Sequence, residues 1–221
     1  MNQPSNNRNL IIGIVVVTLL IFGGLVWLIL STGNGSANQK LVFNDANAPA
    51  LGPQNAPVTV RIFSDFQCPA CRLAEPALKA TIDKYKDRVR FLWDDFPLEP
   101  IHANARLAAN AARCAENQGW FWQYHDRLYE TQDDWSGEKD ARLKFMALAG
   151  EFKMDLTVFS ECLNRGAEDA KVAEGIAQAQ QNRVDQTPTF FINHRRSFIM
   201  TPAEWSAALD AALASSSSTK T

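Results

Sequence analysis

The chain is poor in the residues that build metal clusters, with four cysteines and three histidines among 221 residues. The cysteines stand at 68, 71, 114 and 162, and the histidines are scattered at 102, 125 and 194. A four-ligand zinc site wants two close ligand pairs, and only Cys68 and Cys71 form one, so no metal is expected. Basic runs are also missing: none is longer than Arg195-Arg196, and the formal net charge is -2. That lacks the electrostatic footprint of a nucleic-acid binder. No internal repeat appears, which excludes a solenoid. Only one long apolar run occurs, which argues against a polytopic transporter.

That one run, Leu10 to Leu30, has no ionisable side chain, although the mean hydropathy of the chain is negative, -0.21. At about 1.5 Å per helical residue it reaches roughly 30 Å, the thickness of a bilayer's hydrocarbon core. A cleaved signal peptide is the rival reading. Its apolar region is shorter, about 7–15 residues, and ends at a small-x-small site, for which Ser31 to Ala37 is a poor context. An uncleaved anchor is therefore expected over 10–30. Arg8 precedes the run and no charge follows until Lys40, so the positive-inside rule places residues 1–9 in the cytoplasm and the rest outside.

Residues 31–57 are rich in Ser, Gly, Asn, Ala and Pro without a sustained period, and read as a tether, with Leu41-Val42-Phe43 as a docking point. Val58 to Phe63 alternates and is β-branched, predicting a strand. A helix is expected from Pro69 to about Lys86, kinked but not ended by Pro76, then a second strand from Arg88 to Trp93. Strand–helix–strand is the parallel crossover signature. Residues 101–183 carry almost only helical pattern. The chain returns to β at Thr189 to Ile192 and Ser197 to Met200. Thr201-Pro202-Ala203-Glu204 is a capping box opening a last helix to about Leu213, and Ser215 to Thr221 reads as a disordered tail. The order is βαβ, an all-helical insert, then ββα: an α/β domain split into 58–100 and 184–214 by an insertion at 101–183, with 215–221 as tail.

Cys68-Pro69-Ala70-Cys71 follows a strand and opens a helix within a crossover unit, the setting of a redox pair. A thiol at a helix N-terminus meets unpaired N–H groups and the positive end of the macrodipole, which stabilise a thiolate. Cys68 is thus the expected exposed nucleophile, and Cys71, one turn on, its more buried partner. A structural disulfide is the competing reading, but a bridge closing so small a loop is strained and labile, which favours exchange. Thr187-Pro188 precedes a strand and reads either as a plain strand start or as a cis peptide bond.

Asp65 to Cys71, then Phe96-Pro97-Leu98 with His102 behind it, then Thr187-Pro188-Thr189-Phe190-Phe191-Ile192, resembles the DsbA-like thiol–disulfide oxidoreductases, in their membrane-anchored bacterial branch. The resemblance covers about Pro49 to Leu213. It implies a thioredoxin-like fold with an inserted helical domain, preceded here by the single transmembrane helix. It also implies a cis Thr187-Pro188 turn facing the Cys68–Cys71 pair, with Thr187 and Pro188 receiving a substrate strand. The implied activity is formation of disulfides in extracytoplasmic proteins, needing no cofactor beyond the cysteine pair. Reduced or unfolded secreted and membrane proteins are the expected substrates, and a membrane quinone-linked partner the expected reoxidant. A reductase or isomerase of the same fold, fed by a transmembrane reductant, is the alternative, and a non-enzymatic binding module or chaperone is a third. The expected location is the bacterial cytoplasmic membrane, single-pass, with the catalytic domain outside.

Two departures from the family pattern stand out. Ala70 lies where the family's strongest oxidants have histidine, which removes one neighbour that would stabilise the Cys68 thiolate. Asn193-His194-Arg195-Arg196 replaces the usual glycine-containing hairpin. Cys114 and Cys162 are expected to pair, because free thiols are unusual in an oxidising compartment and related sequences place cysteines similarly. The alternative is that both pack as small hydrophobes. Asp65 reads as a turn residue or as a tuner of Cys68, His102 as a cap, and His125 with Trp120, Phe121 and Trp122 as packing. Asp94 and Asp95 are assigned no chemistry.

Overall fold

The computed structural model describes residues 6–32 and 41–218. Two compact units divide between Lys40 and Leu41. The first holds helix α1, Asn6–Thr32, long and apolar enough to cross a membrane over Ile11–Leu28. Its Thr18 hydroxyl donates to the carbonyls of Ile14 and Val15, both at 2.9 Å, so the polar group in the run is satisfied within the helix.

The second unit is built on a five-stranded sheet in the order β1-β3-β2-β4-β5. β1 is Ala50–Leu51, β2 Val58–Ser64, β3 Val89–Asp95, β4 Thr189–Ile192 and β5 Arg195–Ser197. β2 and β3 pair in parallel and the other neighbours antiparallel. Between β2 and β3 runs α2, Pro69–Tyr85, which continues through Pro76. α9, Pro202–Ser218, opens on a reciprocal capping box. The Thr201 N–H donates to Glu204 Oε2 at 3.0 Å, and the Glu204 N–H donates back to the Thr201 hydroxyl at 3.3 Å.

The period-two alternation of β2 sorts the two faces. Val58, Val60 and Ile62 join the large core with Leu78, Ile82 and Tyr85 of α2 and Trp205 and Leu209 of α9. Phe63 turns the other way, into a smaller core with Phe191, Ala179 and Val184. α8, Asp169–Gln181, covers that face, and Gly175 lets it approach: a Cβ there would lie 2.5 Å from the carbonyl oxygen of Asp95.

Six helices lie between β3 and β4: α3 Ala105–Glu116, α4 Phe121–Glu130, α5 Gln132–Trp135, α6 Arg142–Gly150, α7 Leu156–Arg165 and α8. Asp155 caps α7 by accepting from the N–H groups of Thr157 and Val158. Gly166 ends it in the left-handed region at φ 59°, where glycine carries no Cβ penalty. Cys114 of α3 and Cys162 of α7 are disulfide-bonded, with Cα atoms 5.9 Å apart.

Several expectations are corrected at the edges. The stretch read as tether up to residue 57 is packed onto the domain from Leu41 onward. The Val42 N–H donates to Asn182 Oδ1 at 2.9 Å, Asp45 pairs with Arg61, and β1 extends the sheet. Side chains far along the chain hold this segment, so its composition hides the fact. The strand placed at Ser197 to Met200 lies instead at Arg195–Ser197, because β4 turns back over Asn193 at φ 54°. Ser215 to Ser218, read as the start of a tail, extend α9, where the hydroxyls of Ser215, Ser216 and Ser217 donate to carbonyls one turn back. Residues 219–221 lie outside the described residues.

The Cys114–Cys162 bridge closes a loop with a sequence separation of 48. Loop-closure entropy assigns it about 4 kcal/mol. The Cys114→Ala/Cys162→Ala protein is expected to unfold at lower urea, with a slope no smaller than the wild type's because its unfolded chain is less compact; an unmoved midpoint would contradict a stabilising bridge.

Candidate active site

The loop after β2 brings Cys68 to the N-cap of α2, in extended backbone at φ -72° and ψ 122°, with Pro69 next. Proline suits this place because its missing N–H had no intrahelical partner to lose. Across the gap the chain enters β4 through a cis peptide bond between Thr187 and Pro188. The Cys68 thiol donates to the Thr187 carbonyl at 3.6 Å. Cys68, expected to be exposed, is only 7% so, against 2% for Cys71. The crossing of Thr187–Pro188 over the sulfur accounts for the difference.

The two thiols are driven apart. Cys68 falls from near 9 to about 5, chiefly because the Cys71 thiol donates to it, aided by Thr187 and by the N–H groups of Cys71 and Ala70. Partial burial opposes the fall. Cys71 is pushed well above its ordinary value, first by burial and then by the neighbouring Cys68. The Thr187 hydroxyl is buried without a partner, ready to donate when Cys68 is a thiolate. The pair thus joins a stabilised, low-pKa sulfur to a protonated one, the division of labour that exchange requires.

Asp65 does not reach for the sulfur. Its carboxylate accepts from the Gln67 N–H at 2.8 Å and the Leu98 N–H at 2.9 Å, and pairs with His102 Nδ1 at 2.6 Å. Of the two readings of Asp65, the turn residue describes these contacts. His102, read as a cap, is instead its hydrogen-bond partner. Asp94 and Asp95 end β3 as buried partners of Arg61 and Arg113, at 2.5 and 2.6 Å. Phe121 is buried, and Trp120 packs on Phe152 at 5.4 Å.

Residues with no signal in the local pattern also frame the pair. Gln132, opening α5, donates to the carbonyls of Phe66 and Cys68 at 2.7 and 3.1 Å. Gln67 donates to the Ser136 carbonyl at 2.8 Å and accepts from the Asn104 N–H at 2.7 Å. The Tyr129 hydroxyl bonds Ser64 Oγ at 2.8 Å and the Asp65 carbonyl at 3.3 Å. The helical insert therefore holds the cysteine loop from behind. No periodicity or spacing announces contacts between residues 37 to 69 apart.

A thioredoxin-like sheet with a C-x-x-C pair at a helix start and a cis-proline opposite defines a thiol–disulfide oxidoreductase. A family model described as thioredoxin matches residues 44–211; the chain belongs to that family, among its DsbA-like members. The structure of BdbD from Bacillus subtilis shares 25% identity, covering 77% of this chain and 95% of its own, with a TM-score of 0.69. A probable disulfide bond formation protein D of Bacillus anthracis is 28% identical over 86% of this chain and 90% of its own length. A Na(+)/H(+) antiporter NhaA 3 of Salinispora tropica is 41% identical over 66% of this chain, but that is 21% of the antiporter. The chain thus spans between about a fifth and a third of the antiporters it matches.

Alkylation of the reduced protein by iodoacetamide is expected to follow the Cys68 thiolate, with a midpoint near 5. Because the folded value lies below the unfolded one, the reduced fold gains stability as pH rises from about 5 toward 9 and loses it as pH falls through 5. A midpoint near 8 or 9, or loss of reactivity confined to Cys71→Ser, would contradict the assignment.

Proposed function

We propose that this protein is a membrane-anchored oxidase that forms disulfides in extracytoplasmic proteins by exchange through Cys68 and Cys71. The low-pKa Cys68 sulfur opposite the cis-proline turn carries the reading. In the oxidised form a substrate thiolate attacks Cys68 Sγ, and the Cys68–Cys71 bond breaks. Cys71 leaves as a thiolate and takes up a proton, which its raised pKa favours. A second substrate thiolate then attacks the substrate sulfur of the mixed disulfide. Cys68 departs with the electron pair, a good leaving group because its thiolate is stable. The substrate ends oxidised by two electrons and the enzyme reduced, with no separate cofactor. The backbone of Thr187, beside Pro188, receives the substrate strand.

Stabilising the reduced form makes the disulfide oxidising, which favours the oxidase over a reductase. A quinone-linked membrane protein is the proposed reoxidant, and reduced secreted or membrane proteins are the clients. α1 supports anchoring, and Arg8 before it, with no further charge until Lys40, supports a domain on the outer side.

Equilibration with glutathione buffers is expected to give a potential well above the roughly -270 mV of thioredoxin. A value at or below that figure would turn the assignment to a reductase fed by a transmembrane reductant. Refolding of reduced RNase should accelerate with the wild type and not with Cys68→Ser; equal activity in the two would leave a binding module or chaperone.

A further inference from the structure

The segment that delivers Cys68 is held at its start by one buried carboxylate. Asp65 closes two nested turns: its Oδ1 accepts from the Gln67 N–H at 2.8 Å, and its carbonyl accepts from the Cys68 N–H at 3.1 Å. The first is the side-chain turn that aspartate favours. The second fixes the backbone of the sulfur-bearing residue itself. Oδ2 looks the other way, to the segment after β3, where it accepts from the Leu98 N–H at 2.9 Å and from His102 Nδ1 at 2.6 Å.

The Asp65 side chain is fully buried and that of His102 is 14% exposed. A buried carboxylate needs donors on both oxygens, and among the described residues His102 is the only basic side chain that reaches it. A carboxylate only accepts, so Nδ1 carries the hydrogen. The imidazole is placed by its own backbone. The N–H groups of Ile101 and His102 both donate to the Leu98 carbonyl at 3.0 Å, a one-turn wrap that carries the ring back to Asp65. Leu98 thus gives its N–H to the carboxylate and its carbonyl to the turn that supplies the next donor.

We propose that His102 is a positioning residue for thiol exchange: by donating from Nδ1 to Asp65 it holds the turn that sets the Cys68 sulfur among its donors. Two effects of losing that hydrogen bond have the same sign. The turn slackens, so Thr187 and the N–H groups of Cys71 and Ala70, which lower the Cys68 pKa, are held less closely to the sulfur. The carboxylate also keeps its charge with one donor fewer, three residues before the sulfur, and a bare negative charge disfavours a second one nearby. Both raise the Cys68 pKa and make the Cys68–Cys71 disulfide less oxidising.

His102 has this role only if Cys68 is the exchanging sulfur, and the refolding comparison with Cys68→Ser tests that separately. Full-length wild type in detergent is compared with His102→Phe, which keeps a ring and removes the donor, and with His102→Asn, whose amide donates from the place of Nδ1. Cys68 alkylation is followed against pH, and the potential is measured in glutathione buffers. His102→Phe is expected to raise the alkylation midpoint by about one unit, a tenfold change that the two-electron couple reports as about 30 mV toward reducing values. His102→Asn is expected to restore most of both. A lower urea midpoint with Cys68 unmoved makes His102 a structural residue and overturns the proposal, as does His102→Asn shifting Cys68 as far as His102→Phe. Should His102→Phe fail to fold, the His102→Asn midpoint and nitrogen NMR of the wild-type ring decide. Hydrogen on Nδ1 is expected, and a neutral ring with Nδ1 bare overturns the assignment.

Discussion

Two backbone features meet at one sulfur. The first turn of α2 presents N–H groups with no intrahelical partner, and the cis Thr187–Pro188 entry to β4 presents a carbonyl from the other side. Neither can be supplied by a local stretch of chain, since they are 119 residues apart. The parallel pairing of β2 with β3, and the antiparallel pairing of β4 with β2, bring them together. The chemistry therefore depends on the register of the central strands, and the insert serves that register. Through Gln132, Tyr129 and Asn104 it fixes the β2–α2 loop from the side opposite Thr187.

The same sheet carries a cost on its α8 face. Arg61 lies in the middle of β2, almost fully buried, with Asp94 at 2.5 Å. Burial pushes Asp94 up to about 7 against the pull of Arg61, so desolvation outweighs attraction at that carboxylate. Gln178 Nε2 donates to its other oxygen at 3.1 Å. Breaking such a pair strands a buried charge, which costs far more than the intact pair contributes. Its effect is to tie elements together. Arg61 also holds Asp45, and Arg113 joins Asp95 to the carbonyl of Asn47. The charges thereby fasten residues 41–47 and α3 to the end of β3, close to the loop that Asp65 anchors through Leu98.

What could be read from the sequence followed from short-range physics. Alternation marked β2, helical spacing marked α2, and Cys68–Cys71 at their junction declared the redox pair, while the capping box placed the start of α9 within a residue. The DsbA-like resemblance added the fold with its insert. Contacts across the chain stayed hidden. Segment 41–57 has a linker's composition, and its order comes from Asn182, Gln178 and Arg61, which no local window includes. His125 read as packing and is ringed by aromatics, but that reading did not include its Nε2, which has no hydrogen-bond partner and lies 3.8 Å from Glu75 Oε2. The strand after the β4 turn was shifted because Asn193 at positive φ shortens the hairpin. A missing glycine had made that turn unreadable.

Ala70 sharpens the electronic argument. A histidine between the cysteines would stabilise a thiolate from the side chain, and alanine has nothing to offer. The lowering at Cys68 then rests on the Cys71 thiol, on Thr187 and on two backbone N–H groups. These donors belong to the fold rather than to the dipeptide, so thiolate stability here is set by how closely Thr187 and the first turn of α2 are held to the sulfur. In the proposed exchange a substrate strand must approach along that same Thr187 edge. Substrate docking and thiolate stabilisation are therefore coupled through one residue. A client that draws Thr187 aside weakens the leaving group it needs in the second displacement, whereas one that pairs along the strand keeps the donors in place.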